Sequence, residues 1–172
     1  MNRRRGYILL EISISMLIIS IILVILYNLL FFSINTYKKI YSSIEIQQQG
    51  LEIQNLLERE LSSYKYICKI KRINGEVLNK NEFELENVKS IYYKLENKDL
   101  PDELYLNKTT KKLFLKRNGY SSGYEIGDYV DNMYISKEKD GNIINIKLEL
   151  SKNNQKHCVE FSIYNDNKGE VL

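Results

Sequence analysis

From Ile12 to Tyr37 the chain runs 26 residues without a charged side chain. Wound as a helix at 1.5 Å per residue, that stretch is about 39 Å long, more than the roughly 30 Å hydrocarbon core of a bilayer requires. Apart from Arg3, Arg4, Arg5 and Glu11, every charged residue lies from Lys38 onward. The 172-residue chain therefore reads as one apolar segment joined to one polar domain of ordinary size.

The three arginines ahead of the run account for the whole +3 net charge. By the positive-inside tendency they keep the extreme amino terminus in the cytoplasm and send the polar remainder across the membrane. A secretory signal would have a shorter apolar region, about 7–15 residues, and a small-x-small cleavage site. The run instead ends in Leu30-Phe31-Phe32-Ser33-Ile34-Asn35, with large side chains where that peptidase needs small ones, so the segment is expected to be retained. Glu11, at the head of the run, is out of place in a plain anchor. A carboxylate at the centre of a membrane helix costs about 2.5–3.5 kcal/mol, less toward the interface, and marks a function with a partner to be named.

The segment Arg3-Arg4-Arg5-Gly6-Tyr7-Ile8-Leu9-Leu10-Glu11, followed by the apolar run, resembles the leader and cleavage site of type IV prepilins and pseudopilins. The resemblance implies that a prepilin peptidase cuts between Gly6 and Tyr7, that the new amino terminus on Tyr7 is N-methylated, and that Glu11 stays in the mature chain for assembly. Physical chemistry agrees. Glycine gives a protease close access to the backbone, and the freed amino group of Tyr7 offers Glu11 an opposite charge, in its own chain or a neighbour's, that offsets its desolvation. Tyr7 stands where phenylalanine is commonest in the family, and the run lacks the helix breaker that many major pilins carry near the position of Asn28.

No proline precedes Pro101, so one helix is expected from Tyr7 to about Tyr66. Its apolar stripe changes side near Gly50: Tyr37, Ile40, Tyr41, Ile44 and Leu51 share one face, while Ile46, Ile53, Leu57, Leu61 and Tyr64 share nearly the opposite one. The second stripe is expected on the chain's own sheet and the first against neighbouring helices; neither holds one phase long enough for a coiled coil.

Beyond Tyr66, short alternating runs separated by Asn, Gly, Asp and Lys predict antiparallel strands. Ile91, Tyr93 and Leu95 alternate. Leu104 and Leu106 are joined to Leu113–Leu115 by a hairpin loop at 107–110. Lys139-Asp140-Gly141-Asn142 predicts a tight turn between 132–136 and 143–150, and the strand 158–164 turns Val159, Phe161 and Ile163 one way. The expected fold is α+β and pilin-like: leader 1–6, transmembrane and assembly half of the helix 7–37, amphipathic half 38–66, and an extracytoplasmic antiparallel sheet domain 67–172. The segment order also resembles W-type minor pilins and J-type pseudopilins.

Little is available for catalysis. With one histidine and two cysteines, a metal centre or familiar triad is hard to build. Neither cofactor nor metal is expected, and the protein is read as non-enzymatic. A disulfide between Cys68 and Cys158 would close a loop of about 90 residues, worth roughly 4–5 kcal/mol on chain-entropy arguments, with two free thiols as the alternative. His157 is expected at the surface, pointing away from Cys158. Asp128 and Asp131, near Glu125, lack EF-hand spacing for calcium. Ten of the fourteen tyrosines lie from Tyr64 onward, but 19 basic and 17 acidic residues are interspersed there, which argues against DNA contact and for half-buried sheet tyrosines.

The expectation is a minor pilin or pseudopilin of a type IV pilus or a related competence or secretion pseudopilus. Its implied partners are the prepilin peptidase, other pilin or pseudopilin subunits, the cytoplasmic membrane and the inner assembly platform. The competing reading is a single-pass membrane-anchored extracytoplasmic binding module that never enters a filament.

Overall fold

The computed structural model describes residues 3–62, 66–78, 83–94, 100–138 and 143–164. A long helix, α1 (Arg3–Ser62), is followed among these residues by nine strands: β1 (Tyr66–Arg72), β2 (Val77–Leu78), β3 (Phe83–Lys94), β4 (Asp102–Asn107), β5 (Lys112–Lys116), β6 (Tyr124–Gly127), β7 (Val130–Lys137), β8 (Ile143–Lys152) and β9 (Gln155–Tyr164). This is the expected α+β, pilin-like layout. The chain divides into two compact units, Met1–Tyr41 and Ser42–Leu172.

The first unit is helical throughout its described residues, and every side chain from Tyr7 to Asn35 is exposed. Its hydroxyls do not break the helix. Ser13 Oγ donates to the Leu9 carbonyl at 2.9 Å and Ser20 Oγ to the Met16 carbonyl at 2.8 Å, so each polar group is satisfied four residues back on its own backbone. Tyr37 and Tyr41, one turn apart, stack with ring centroids 6.3 Å apart.

In the second unit the last five turns of α1 lie on one antiparallel sheet of order β6-β5-β4-β3-β7-β8-β9, with β1 also pairing β3 and β2 on its far side. Strand alternation is strict where the sequence alternates. Ile144, Ile146, Leu148 and Leu150 of β8 are buried, as are Val159, Phe161 and Ile163 of β9, while Cys158, Glu160, Ser162 and Tyr164 face solvent. The stripe Ile46, Ile53, Leu57 and Leu61 is buried, and its last three members join the sheet's inner face in a single core. Removing each such side chain from water contributes about 1.5–3 kcal/mol. Tyr37, Ile40, Tyr41, Ile44 and Leu51 are all exposed.

Several elements differ from the sequence expectation. The helix is described to Ser62, residues 63–65 lie outside the described residues, and Tyr66, where the helix was expected to finish, already pairs with Lys94 in the β1–β3 ladder. Strand β6 had no alternating signal; with four residues it is held by its pairing to β5. The β8–β9 hairpin turns on Asn153-Asn154, both in the left-handed region with φ of 48° and 65°, a two-residue turn without glycine. The 107–110 loop turns where expected, with Asn107 Oδ1 accepting the Thr109 and Thr110 amides at 3.1 and 3.3 Å. The Lys139-Asp140-Gly141-Asn142 turn, Tyr64, Leu95 and the first two leader residues lie outside the described residues.

Two glycines set how closely the helix approaches the sheet. A Cβ on Gly50 would stand 2.6 Å from Val159 Cγ2 and 3.0 Å from His157 Cδ2, so the helix rests its backbone on β9 there. At Gly127, the end of β6, a Cβ would overlap the Ile53 side chain. The switch of stripes thus falls where α1 touches down. His157, expected at the surface, is partly exposed beside that contact.

Candidate functional site

Gly6, Tyr7 and Glu11 share the first turns of α1, whose backbone is helical from Arg3. Tyr7 is 78% exposed. Four residues apart in a helix, Tyr7 and Glu11 lie on one face. Glu11 is also exposed, and makes no hydrogen bond or ion pair among the described residues. It is the one ionisable carboxylate or base between Gly6 and Lys38. The helix Tyr7–Ser62 contains a window apolar and long enough to cross a membrane, none of it buried by the chain. An uncovered apolar surface of that extent is compatible with membrane anchoring.

A second constellation, invisible in the sequence, fixes the helix to the sheet within the second unit. Tyr129 OH donates to Glu45 Oε1 at 3.1 Å, Lys152 Nζ donates to the same oxygen, and Lys152 Nζ also donates to Tyr129 OH at 2.7 Å. The ammonium sits 4.3 Å from the Tyr129 ring centroid. One helical turn earlier, the buried Ser42 hydroxyl accepts from Asn153 Nδ2 at 3.0 Å. Tyr129 reaches this position through a left-handed backbone, φ 65°. At the other end, Arg117 pairs with Glu60 at 3.2 Å, an exposed contact worth little by itself. The partners of Glu45 lie 84 and 107 residues away, so no local pattern announces them.

The hydrogen bond to Glu45, then that to Tyr129, hold the Lys152 ammonium above the ordinary lysine pKa. A cation whose folded pKa is raised adds stability that is complete below the unfolded value, about 10.4, and fades as pH climbs through the folded one. Lys152→Met is therefore expected to lower the urea midpoint of the detergent-solubilised chain at about pH 8, with the gap to wild type narrowing as pH rises beyond about 10.4. A gap that stays constant over that range, followed by near-ultraviolet circular dichroism, would refute the charge-based clamp.

The remaining sequence candidates separate. Cys68 and Cys158 are free thiols on β1 and β9, strands that are not neighbours in the sheet. Cys68 Sγ donates to the Tyr92 carbonyl at 3.3 Å, and burial raises its thiol pKa, the opposite of what a reactive thiolate needs. Glu125 and Asp128 share Lys112, at 2.7 and 3.5 Å, and Asp131 pairs with Lys111 at 2.6 Å, so the acidic loop is spent on lysines. Among the described residues no group of three or more His, Cys, Asp or Glu side chains is placed to hold a metal ion. The tyrosines Tyr92, Tyr105 and Tyr134 are half-buried on the sheet, Tyr105 stacked on Phe114 at 5.1 Å, and Tyr129 is half-buried between β6 and β7, while Tyr120, Tyr124 and Tyr164 are exposed. Set against family models, curated proteins and solved structures, the chain has no significant match in any of the three comparisons.

Proposed function

We propose that this chain is a minor pilin or pseudopilin: a structural subunit made as a prepilin, held in the cytoplasmic membrane by α1, trimmed between Gly6 and Tyr7, and assembled through that helix into a type IV pilus or a related competence or secretion pseudopilus. The observation that carries the proposal is the uncovered apolar stretch of α1, in which the one carboxylate between Gly6 and Lys38, Glu11, lies four residues beyond Tyr7. Lipid alone satisfies the apolar surface but leaves the carboxylate without a counter-charge. Bundled helices with a freed Tyr7 amino group satisfy both. The stripe Tyr37, Ile40, Tyr41 and Ile44, exposed beyond the uncharged core of the run, supports the same packing.

In this reading the head domain stands outside the cytoplasm and transmits load to the helix through the Glu45–Tyr129–Lys152 clamp and the Gly50 contact. The test is the mass of the mature chain from cells with an active prepilin peptidase. The wild-type chain is expected to begin at a methylated Tyr7, and Gly6→Leu to retain Met1 and accumulate unprocessed. An intact Met1 on the wild-type chain would favour a plain anchored binding module.

A further inference from the structure

The chain contains two Asn-Gly pairs, Asn74-Gly75 and Asn118-Gly119. Asparagine before glycine is open to attack by its own backbone, because glycine carries no side chain to shield the nitrogen that follows the asparagine. The two pairs are alike in several respects. All four residues are exposed, both glycines have positive φ, 88° at Gly75 and 87° at Gly119, and neither has an atom within 4 Å of where a side chain would stand.

Their hydrogen bonds differ. In the turn between β1 and β2, Gly75 N donates to the Arg72 carbonyl at 3.0 Å, and Asn74 Oδ1 accepts the Glu76 amide at 3.1 Å, so nitrogen and side chain are both engaged. In the turn after β5 the closing bond runs instead from Tyr120 N to the Arg117 carbonyl, at 3.2 Å. Gly119 is then the third residue of the turn, where positive φ fits type II, and its own N–H is not the one that closes it. Asn118 is held through its backbone, N donating to Oδ1 of the buried Asp102 at 2.7 Å. Among the described residues neither the Gly119 N–H nor the Asn118 side chain has a hydrogen-bond partner.

We infer that Asn118-Gly119 is a self-modification site, at which the folded head slowly converts asparagine to aspartate and isoaspartate, while the hydrogen bonds of the β1–β2 turn hold Asn74-Gly75 against the same reaction. The attacking nitrogen and the carbon it attacks belong to adjoining residues and close a five-membered ring, so covalent structure supplies the approach. What the fold decides is whether the N–H is open to base and the side chain is free to turn. Hydroxide takes the Gly119 N–H proton, the nitrogen bonds to Asn118 Cγ, and the Cγ–Nδ2 bond breaks. Nδ2 takes a proton from water and leaves as ammonia. A second water opens the ring at either carbonyl, giving aspartate or isoaspartate. Either product sets a new carboxylate in the residue whose amide Asp102 holds, beside the Arg117 that pairs with Glu60 of α1.

The experiment is peptide mass spectrometry on the detergent-solubilised full chain, sampled during incubation at about pH 8, with isoaspartate located by fragmentation. The peptide carrying Asn118 is expected to gain about 1 Da, amide to acid. It should do so at least about tenfold faster than the peptide carrying Asn74, whose two hydrogen bonds must break first. In urea, with both turns unfolded, the two rates should converge. Asn118→Gln, which would need a larger ring, is expected to abolish the gain at that position and leave the Asn74 rate unchanged. Equal rates in the folded chain, or a faster Asn74, would overturn the proposal. So would a preference for Asn118 that persists undiminished in urea, since neighbouring sequence and not the fold would then be its cause.

Discussion

Gly50→Leu is expected to destabilise the second unit by about 1–3 kcal/mol through overpacking. Leucine is a better helix former than glycine by roughly 0.8 kcal/mol, so local propensity pushes the other way and any loss reports the contact alone. The cause is the approach to β9: the new Cβ would meet Val159 Cγ2 at 2.6 Å, and Val159 is a branched, buried side chain with little freedom to yield. To relieve the overlap the helix must lift, which also opens the core around Ile46 and Ile53. Urea unfolding of the detergent-solubilised chain measures the effect, with Leu51→Ala as control. Leu51 is the exposed neighbour and should change stability by less than about 0.5 kcal/mol. A Gly50→Leu chain as stable as wild type would mean that the helix does not rest on β9 in solution.

Glu11→Val is the change with the largest expected effect on function. If the carboxylate exists to pair with a freed amino group among packed helices, valine improves membrane insertion and removes the pairing. Processing after Gly6 should continue, since the cleaved bond and its leader are unaltered. Incorporation should fall at least about tenfold, because an amino group buried without its partner costs on the order of 3–5 kcal/mol. Mature chain would then accumulate in the membrane and disappear from the sheared filament fraction, scored by immunoblot of both fractions in cells with a working assembly machine. Wild-type amounts in the filament would remove the pairing role of Glu11 while leaving the anchor reading in place.

Legibility divides along a physical line. The apolar run, the two helix stripes and the alternation of β8 and β9 are written in residues a few positions apart, because a helix face recurs every three or four residues and a strand face every two. Those local periods foretold which side chains are buried: Ile46, Ile53, Leu57 and Leu61 on the helix, and Val159, Phe161 and Ile163 on the last strand. The resemblance of the amino-terminal motif to prepilins is local in the same sense. That Tyr66 itself belongs to a strand is not written locally. Its pairing with Lys94 settles the question, and nothing near Tyr66 in the chain encodes that partner.

What proximity along the chain could not convey is which distant surfaces meet and how tightly. Glycine at 50 and 127 looks like weakness in a helix and a short strand until Val159 and Ile53 are seen to occupy the space a side chain would need. Glu45, Tyr129 and Lys152 are ordinary surface residue types; they become a clamp because the β6–β7 connection and the end of β8 bring Tyr129 and Lys152 to one helical turn. Periodicity arises from the backbone's own geometry and survives in the sequence. Register and close approach arise from complementary shapes brought together by burial, and exist only once the chain has folded.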